Sequence, residues 1–229
     1  MRQPPFLPVV PRFFVVVLLG AIVFELADGF AERPEKDLDH QAILMLRDPD
    51  NLSRMIGPPF VEESMRDFTG LGGYAVLLLT TITFALFFRA ELSREAFRFF
   101  VATTVSGYFL GAILKNVVRR ERPALVPHLS HVSGATSFPS SHAMMSVIVF
   151  LTIGLLLSTR TRDRQLQRLL TLLPLGIAGV VGLSRICMGV HYPTDVLAGW
   201  SLGLLWVWGA FRIYHRFLSP QATRATSVP

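Results

Sequence analysis

Apolar residues along the chain gather into six continuous runs, roughly 11 to 27, 71 to 88, 97 to 118, 142 to 158, 169 to 187 and 196 to 214, separated by polar stretches. Each is about 17 to 22 residues long, close to the ~20 residues a helix needs to cross hydrocarbon. The runs lack the roughly ten-residue alternation of membrane strands. Only helices and closed barrels satisfy every backbone amide in hydrocarbon, and continuous runs without that alternation are helices rather than a barrel. The pattern therefore predicts an all-α fold, an integral membrane bundle of six transmembrane helices forming one domain over residues 1–219. Between the first two runs lies a polar insert, 28–70. Its stretch from Asp37 to Arg47 is patterned as a short amphipathic helix at the membrane surface, and Pro58-Pro59 then breaks it. Residues 220–229 are polar with two prolines and are expected to form a disordered cytoplasmic tail. No internal repeat is present, which disfavours a repeat-built transporter.

Composition agrees with the hydropathy pattern. The 229 residues are 51% hydrophobic, the mean hydropathy is +0.47, and one membrane domain accommodates both better than two soluble ones. The net charge of +6 and pI of 10.2 invite a nucleic-acid reading. The arginines, however, sit in short loops beside apolar runs rather than in one basic stripe, so topology explains them better and no nucleic-acid partner is expected. With the N-terminus inside, 12 of the 22 basic residues fall on the cytoplasmic side, while the outer insert from Asp28 to Asp67 carries five against ten acidic residues. The positive-inside rule then places both termini in the cytoplasm. Residues 1–31 also resemble a signal peptide ending near Gly29-Phe30-Ala31, but a retained first helix is the preferred reading. The lone Cys187 can form no internal disulfide and reads as a packing residue.

Three polar clusters interrupt the ends of the apolar runs, and under this topology all three face outward. They are Lys115-x6-Arg122-Pro123, Pro139-Ser140-Ser141-His142 and Ser184-Arg185-x5-His191-x3-Asp195. Two guanidinium groups and an ammonium suit a phosphoryl group, whose transition state spreads charge over three oxygens. Of the two histidines, one can act as nucleophile and the other as general acid, with Asp195 holding the nucleophile's ring in the right tautomer. Lys115 and Arg122 would share a face if the helix continued between them. Alternatively Pro123 pushes Arg122 into a loop that reaches back. Ser140 and Ser141 precede His142 at a helix start, where free amides favour an anion. Gly189 permits the turn before His191, and Asp195 can accept the Nδ1 proton and leave Nε2 to attack. Arg119 and Arg120 read equally as snorkelling cations or substrate contacts. His40 reads as a solvated or capping residue, and His128 and His131 as surface or entrance residues.

These three motifs, spanning Lys115 to Asp195, resemble the signature of the type 2 phosphatidic acid phosphatase family, bacterial membrane lipid phosphatases. The chain departs from it at Ser141, where the family usually has glycine. The resemblance implies a two-step reaction in which His191 attacks phosphorus, His142 protonates the leaving group and water hydrolyses the phosphohistidine. Lys115, Arg122, Ser140, Ser141 and Arg185 would bind the phosphoryl oxygens. The implied substrates are undecaprenyl diphosphate, phosphatidylglycerol phosphate, phosphatidic acid or a lipid A phosphate, handled at the outer face of the inner membrane. Few carboxylates lie between Lys115 and Asp195, so no metal or other cofactor is expected. The competing readings are a lipid-phosphate phosphotransferase, a non-hydrolytic lipid transporter and, least compatible with six spans, a vanadate-dependent haloperoxidase.

Overall fold

The structure, a computed structural model, describes residues 38–132 and 134–214. The run 11–27, the cleavage motif and the tail 220–229 lie outside the described residues. Within them, five helices are long and apolar enough to cross a membrane: α3 (Tyr74–Leu92), α4 (Arg94–Val118), α5 (Ser141–Ser158), α6 (Arg164–Cys187) and α7 (Pro193–Ile213). Ahead of them stand α1 (Leu38–Leu44), an antiparallel ribbon of β1 (Arg47–Asp48) and β2 (Asn51–Met55), and α2 (Pro59–Leu71).

The five spans match the second to sixth apolar runs, and where their ends differ the cause is local. Ser93 caps α4, its hydroxyl oxygen accepting from the Ala96 amide at 3.1 Å. Asp163 caps α6 through the Gln165 amide at 2.8 Å. Such caps are worth ~1 kcal/mol and carry each helix back into polar sequence. In α7, Pro193 takes the first helical position, where its fixed φ is suited and its missing N–H would have no partner anyway. The same property corrects the reading of Pro58-Pro59 as a breaker, since Pro59 opens α2.

The buried centre is α5. Its span is 72% buried, against 17% to 44% for the other four. Met144, Val147, Ile148, Leu151 and Leu156 of α5 pack with Phe88, Phe99, Phe100, Val207 and Phe211. Contact with α7 is backbone to backbone: a Cβ added at Gly199 would lie 2.7 Å from the Ser140 carbonyl oxygen, and one at Gly203 would lie 2.8 Å from that of Met144. Small residues permit this approach where no hydrophobic effect drives helices together. Outward faces, such as Leu78, Leu79, Ile82 and Leu86 of α3 and Leu169, Leu172 and Leu173 of α6, are largely exposed apolar surface. A bilayer is the solvent that suits them, and the chain is a multi-pass membrane protein.

Successive spans alternate in direction, so the end of α4, the start of α5, the end of α6 and the start of α7 meet at one end of the bundle. The insert is clamped onto that end. Buried Arg47 donates from Nη1 to the Cys187 carbonyl at 2.7 Å, at the C-terminus of α6, where a cation complements the helix dipole. Gly189, at φ +70°, turns the chain beneath it, and a Cβ there would sit 2.4 Å from Arg47 Nη2.

Candidate active site

The link from α6 to α7 carries His191 and the first turn of α7 carries Asp195, and the two, both almost wholly buried, lie side by side. Asp195 Oδ2 accepts from the Tyr192 amide at 3.0 Å and from His191 Nδ1 at 3.3 Å. Across the ring, Nε2 lies 3.2 Å from Arg122 Nη1. A guanidinium can only donate, so Nε2 is the unprotonated nitrogen and Nδ1 carries the hydrogen. Burial pushes the His191 imidazole down to about 4, with the Asp195 hydrogen bond and charge opposing and Arg185 and Arg122 adding to the fall. At neutral pH the ring is therefore uncharged with a lone pair on Nε2.

Arg122 does not share a helical face with Lys115. Helix α4 stops at Val118, and Arg119 adopts a left-handed conformation at φ 52°. The chain then doubles back, with Glu121 pairing to Thr136 across a single bridge. That return places the Thr136 and Ser137 carbonyls 3.1 and 3.4 Å from Lys115 Nζ. Arg122 donates to the carbonyls of Val190 at 2.8 Å and Gly134 at 3.0 Å. Burial lowers its guanidinium from the ordinary value, opposed by the Asp195 charge; arginine remains a cation even so.

At the start of α5 the Ser140 amide donates to the Asp195 carbonyl at 3.1 Å, tying the second motif to the third. The Ser140 Oγ is buried without a hydrogen-bond partner. His142, in the first turn, is half-buried; a Cβ added at Gly72, between α2 and α3, would lie 3.2 Å from its Cδ2. Arg185 donates from Nη1 to the hydroxyls of Thr69 at 2.9 Å and Ser130 at 3.3 Å. Its Nε is buried and unpartnered. Leaving such donors unpaired costs about 1 to 3 kcal/mol each, which an anionic oxygen would remove. Ser141 and His142 also line a cavity of about 570 Å3 between α3, α4 and α5. Its other walls include Leu77, Leu78, Val105 and Phe109, with Tyr74 and Tyr108 edge to face at 6.0 Å.

Arg120 is neither a snorkelling cation nor free for substrate. Its Nη1 donates to Thr194 Oγ1 at 2.8 Å and Asp195 Oδ1 at 3.0 Å, and its Nη2 to Asp39 Oδ2 at 3.0 Å. The guanidinium also lies 4.1 Å over the Tyr192 ring. Asp39, which the sequence did not single out, accepts from the Thr194 amide at 3.1 Å and from the Thr194 hydroxyl. No local pattern could have found it, because the residues it joins are far apart in the chain. His40 is half-buried and edge-on to Tyr192 at 5.3 Å. His128 and His131 are exposed, the former with Nε2 2.8 Å from the Pro123 carbonyl oxygen. Arg119 is exposed and donates to the Asn116 carbonyl at 2.9 Å. Among the described residues no three His, Cys, Asp or Glu side chains are grouped to hold a metal ion.

Comparison with known proteins identifies relatives of this arrangement. A family model described as the PAP2 superfamily matches residues 95–219. Phosphatidylglycerophosphatase B of Bacillus subtilis is 34% identical over 154 residues, covering 66% of this chain and 74% of that protein. The bacitracin transport permease BcrC of Bacillus licheniformis is 29% identical over 195 residues, covering 80% of this chain and 87% of its own. Among solved structures, the PAP2-type phosphatidylglycerolphosphate phosphatase of Bacillus subtilis superposes with a TM-score of 0.70 at 25% identity, covering 93% of this chain and 98% of that one.

Proposed function

The chain belongs to the PAP2 superfamily and is a membrane-embedded lipid phosphate hydrolase, and from that premise we propose that it works through a phosphohistidine at His191. The lone pair on Nε2 attacks phosphorus as the bond from phosphorus to the leaving oxygen breaks, and His142 gives that oxygen its proton. Water then attacks the phosphohistidine, returning its proton to His142 and releasing phosphate from His191. Lys115, Arg122, Arg185 and the Ser140 hydroxyl hold the phosphoryl oxygens, and the amides at the start of α5, including that of Ser141, face the same anion. Asp195 fixes the tautomer and balances the positive charge that develops on the ring. The observation that carries this reading is the His191–Asp195 pair with Arg122 against the free nitrogen, beside two buried donors that lack partners.

The substrate is a lipid phosphate monoester reached from the outer leaflet, with phosphatidylglycerol phosphate first. Similarity to the Bacillus subtilis phosphatase supports that choice. The cavity beside His142 supports a lipid substrate, since its apolar walls suit an acyl chain while the headgroup stays at the cations. Undecaprenyl diphosphate is the second reading, since a diphosphate would meet the same cations and a long isoprenyl chain the same apolar walls. Purified protein should release inorganic phosphate from one of these lipids faster than from phosphatidic acid or a lipid A phosphate. Transfer of the phosphoryl group to an added lipid or sugar hydroxyl without free phosphate would replace hydrolase by transferase. No reaction with any of the four would overturn the substrate assignment.

A further inference from the structure

We propose that Asp39 and Arg120 are positioning residues for the reaction, acting through Asp195; this rests on the reading of His191 as nucleophile. Asp195 must keep one oxygen on His191 Nδ1 throughout turnover, and a carboxylate held by one bond would turn. The Tyr192 amide pins Oδ2 at 3.0 Å and Arg120 pins Oδ1 at 3.0 Å. Arg120 is itself held on its other arm by Asp39. Asp39 in turn is fastened to the first turn of α7 by the Thr194 amide and hydroxyl. In this way a carboxylate from α1 satisfies part of the N-terminus of that helix. One planar fork thereby spans two carboxylates that are 2% and 0% exposed.

The electrostatic consequence is specific. As His191 bonds to phosphorus its ring becomes positive, and Asp195 stabilises that charge only to the extent that its own is not neutralised. Arg120 paired with Asp195 alone would neutralise it. Sharing the same guanidinium with Asp39 returns negative charge to the dyad without loosening its geometry. The segment preceding the first described span thus takes part in the nucleophile's support, whereas Lys115, Arg122 and Arg185 face phosphate. Loss of Asp39 should slow attack and leave substrate binding in place.

Rapid-quench labelling with a short-chain lipid carrying labelled phosphate tests this, alongside steady-state kinetics on the full chain in micelles. Asp39→Asn should lower kcat and the rate of phosphoenzyme formation by roughly 10- to 100-fold. The yield of folded, detergent-soluble enzyme should be unchanged and KM should stay within about threefold. Because Asp39 and Arg120 share one ion pair, their losses should be less than additive: the double variant with Arg120→Gln should be slower than Arg120→Gln alone by much less than the Asp39→Asn factor, the remainder being the Asp39 bonds to Thr194. Arg120→Lys keeps the charge but loses the fork, and carries the same rate test should Asp39→Asn fail to accumulate. A normal rate per folded molecule with a smaller yield of folded enzyme would mean only a folding role, and fully additive losses would mean no coupling; either overturns the proposal. Raised KM at unchanged kcat would also overturn it. Covalent labelling that survives His191→Ala would remove the underlying reading instead, and that control distinguishes the two failures.

Discussion

Gly199→Ala isolates the contribution of helix packing to the chemistry. In α7 this position lies against the first turn of α5, and the new methyl would stand 2.7 Å from the Ser140 carbonyl oxygen, against 3.4 Å for an ordinary contact. The obstacle is backbone, so the helices must part there by about 0.7 Å, since a main-chain carbonyl cannot rotate away as a side chain could. Overpacking of this kind costs typically 1 to 3 kcal/mol. The Ser140 amide bond to the Asp195 carbonyl lies in the same contact, so the displacement separates the second motif from the third. Misplacement approaching 1 Å costs on the order of 10²-fold in rate. Gly203→Ala is the matched control: its methyl would meet the Met144 carbonyl oxygen at 2.8 Å, one turn further from the site. Both variants should melt at lower temperature by similar amounts in a detergent-solubilised thermal shift assay. Only Gly199→Ala should lose kcat by roughly 10²-fold at a temperature where both are folded. Equal losses of activity in the two variants would refute the claim that this contact sets the spacing of the motifs.

Three further outcomes follow from other parts of the structure. Burial holds the His191 pKa at about 4, below its ordinary 6.5, so the folded chain binds fewer protons than the unfolded one between those values. Its contribution to stability is complete above about 6.5 and is lost as pH falls toward about 4. In histidine-labelled NMR the His191 signal, assigned by its loss in His191→Ala, should stay constant from pH 8 to 5.5; a midpoint near 6.5 would contradict the buried neutral ring. Activity should survive EDTA and be inhibited by vanadate, whose five-coordinate form resembles the phosphoryl transition state; loss with EDTA restored by Mg2+ would count against the histidine mechanism. In a Cys187→Ser background, a cysteine replacing His131 should react with an impermeant reagent on intact cells and one replacing Gln165 should not, the reverse pattern placing catalysis in the cytoplasm.

The spans were legible because a membrane helix declares itself by uninterrupted apolar length, and the caps at Ser93 and Asp163 account for starts that hydropathy alone places later. The helical character of α2 was hidden by Pro59, which reads as punctuation until its place at the first helical position is known. Within the site, the His191–Asp195 contact could be argued from a four-residue spacing. Lys115 and Arg122 are harder, because the left-handed turn at Arg119 replaces the helical register that their seven-residue spacing suggests. Arg120 was ambiguous and Asp39 silent, since their contacts arise from the insert folding back over α7, a pairing no local pattern records.

The central claim is that phosphorus becomes bonded to Nε2 of His191. Trapping the intermediate with a labelled substrate, quenching without acid and locating the phosphoryl group by mass spectrometry tests it most directly. The label should map to His191 and vanish in His191→Ala. In His142→Ala it should form about 10²- to 10⁴-fold more slowly from a lipid ester, the usual general-acid contribution, and at nearly the original rate from a nitrophenyl ester. A phosphoryl group found on His142, or a His191→Ala variant that still labels, would contradict the mechanism.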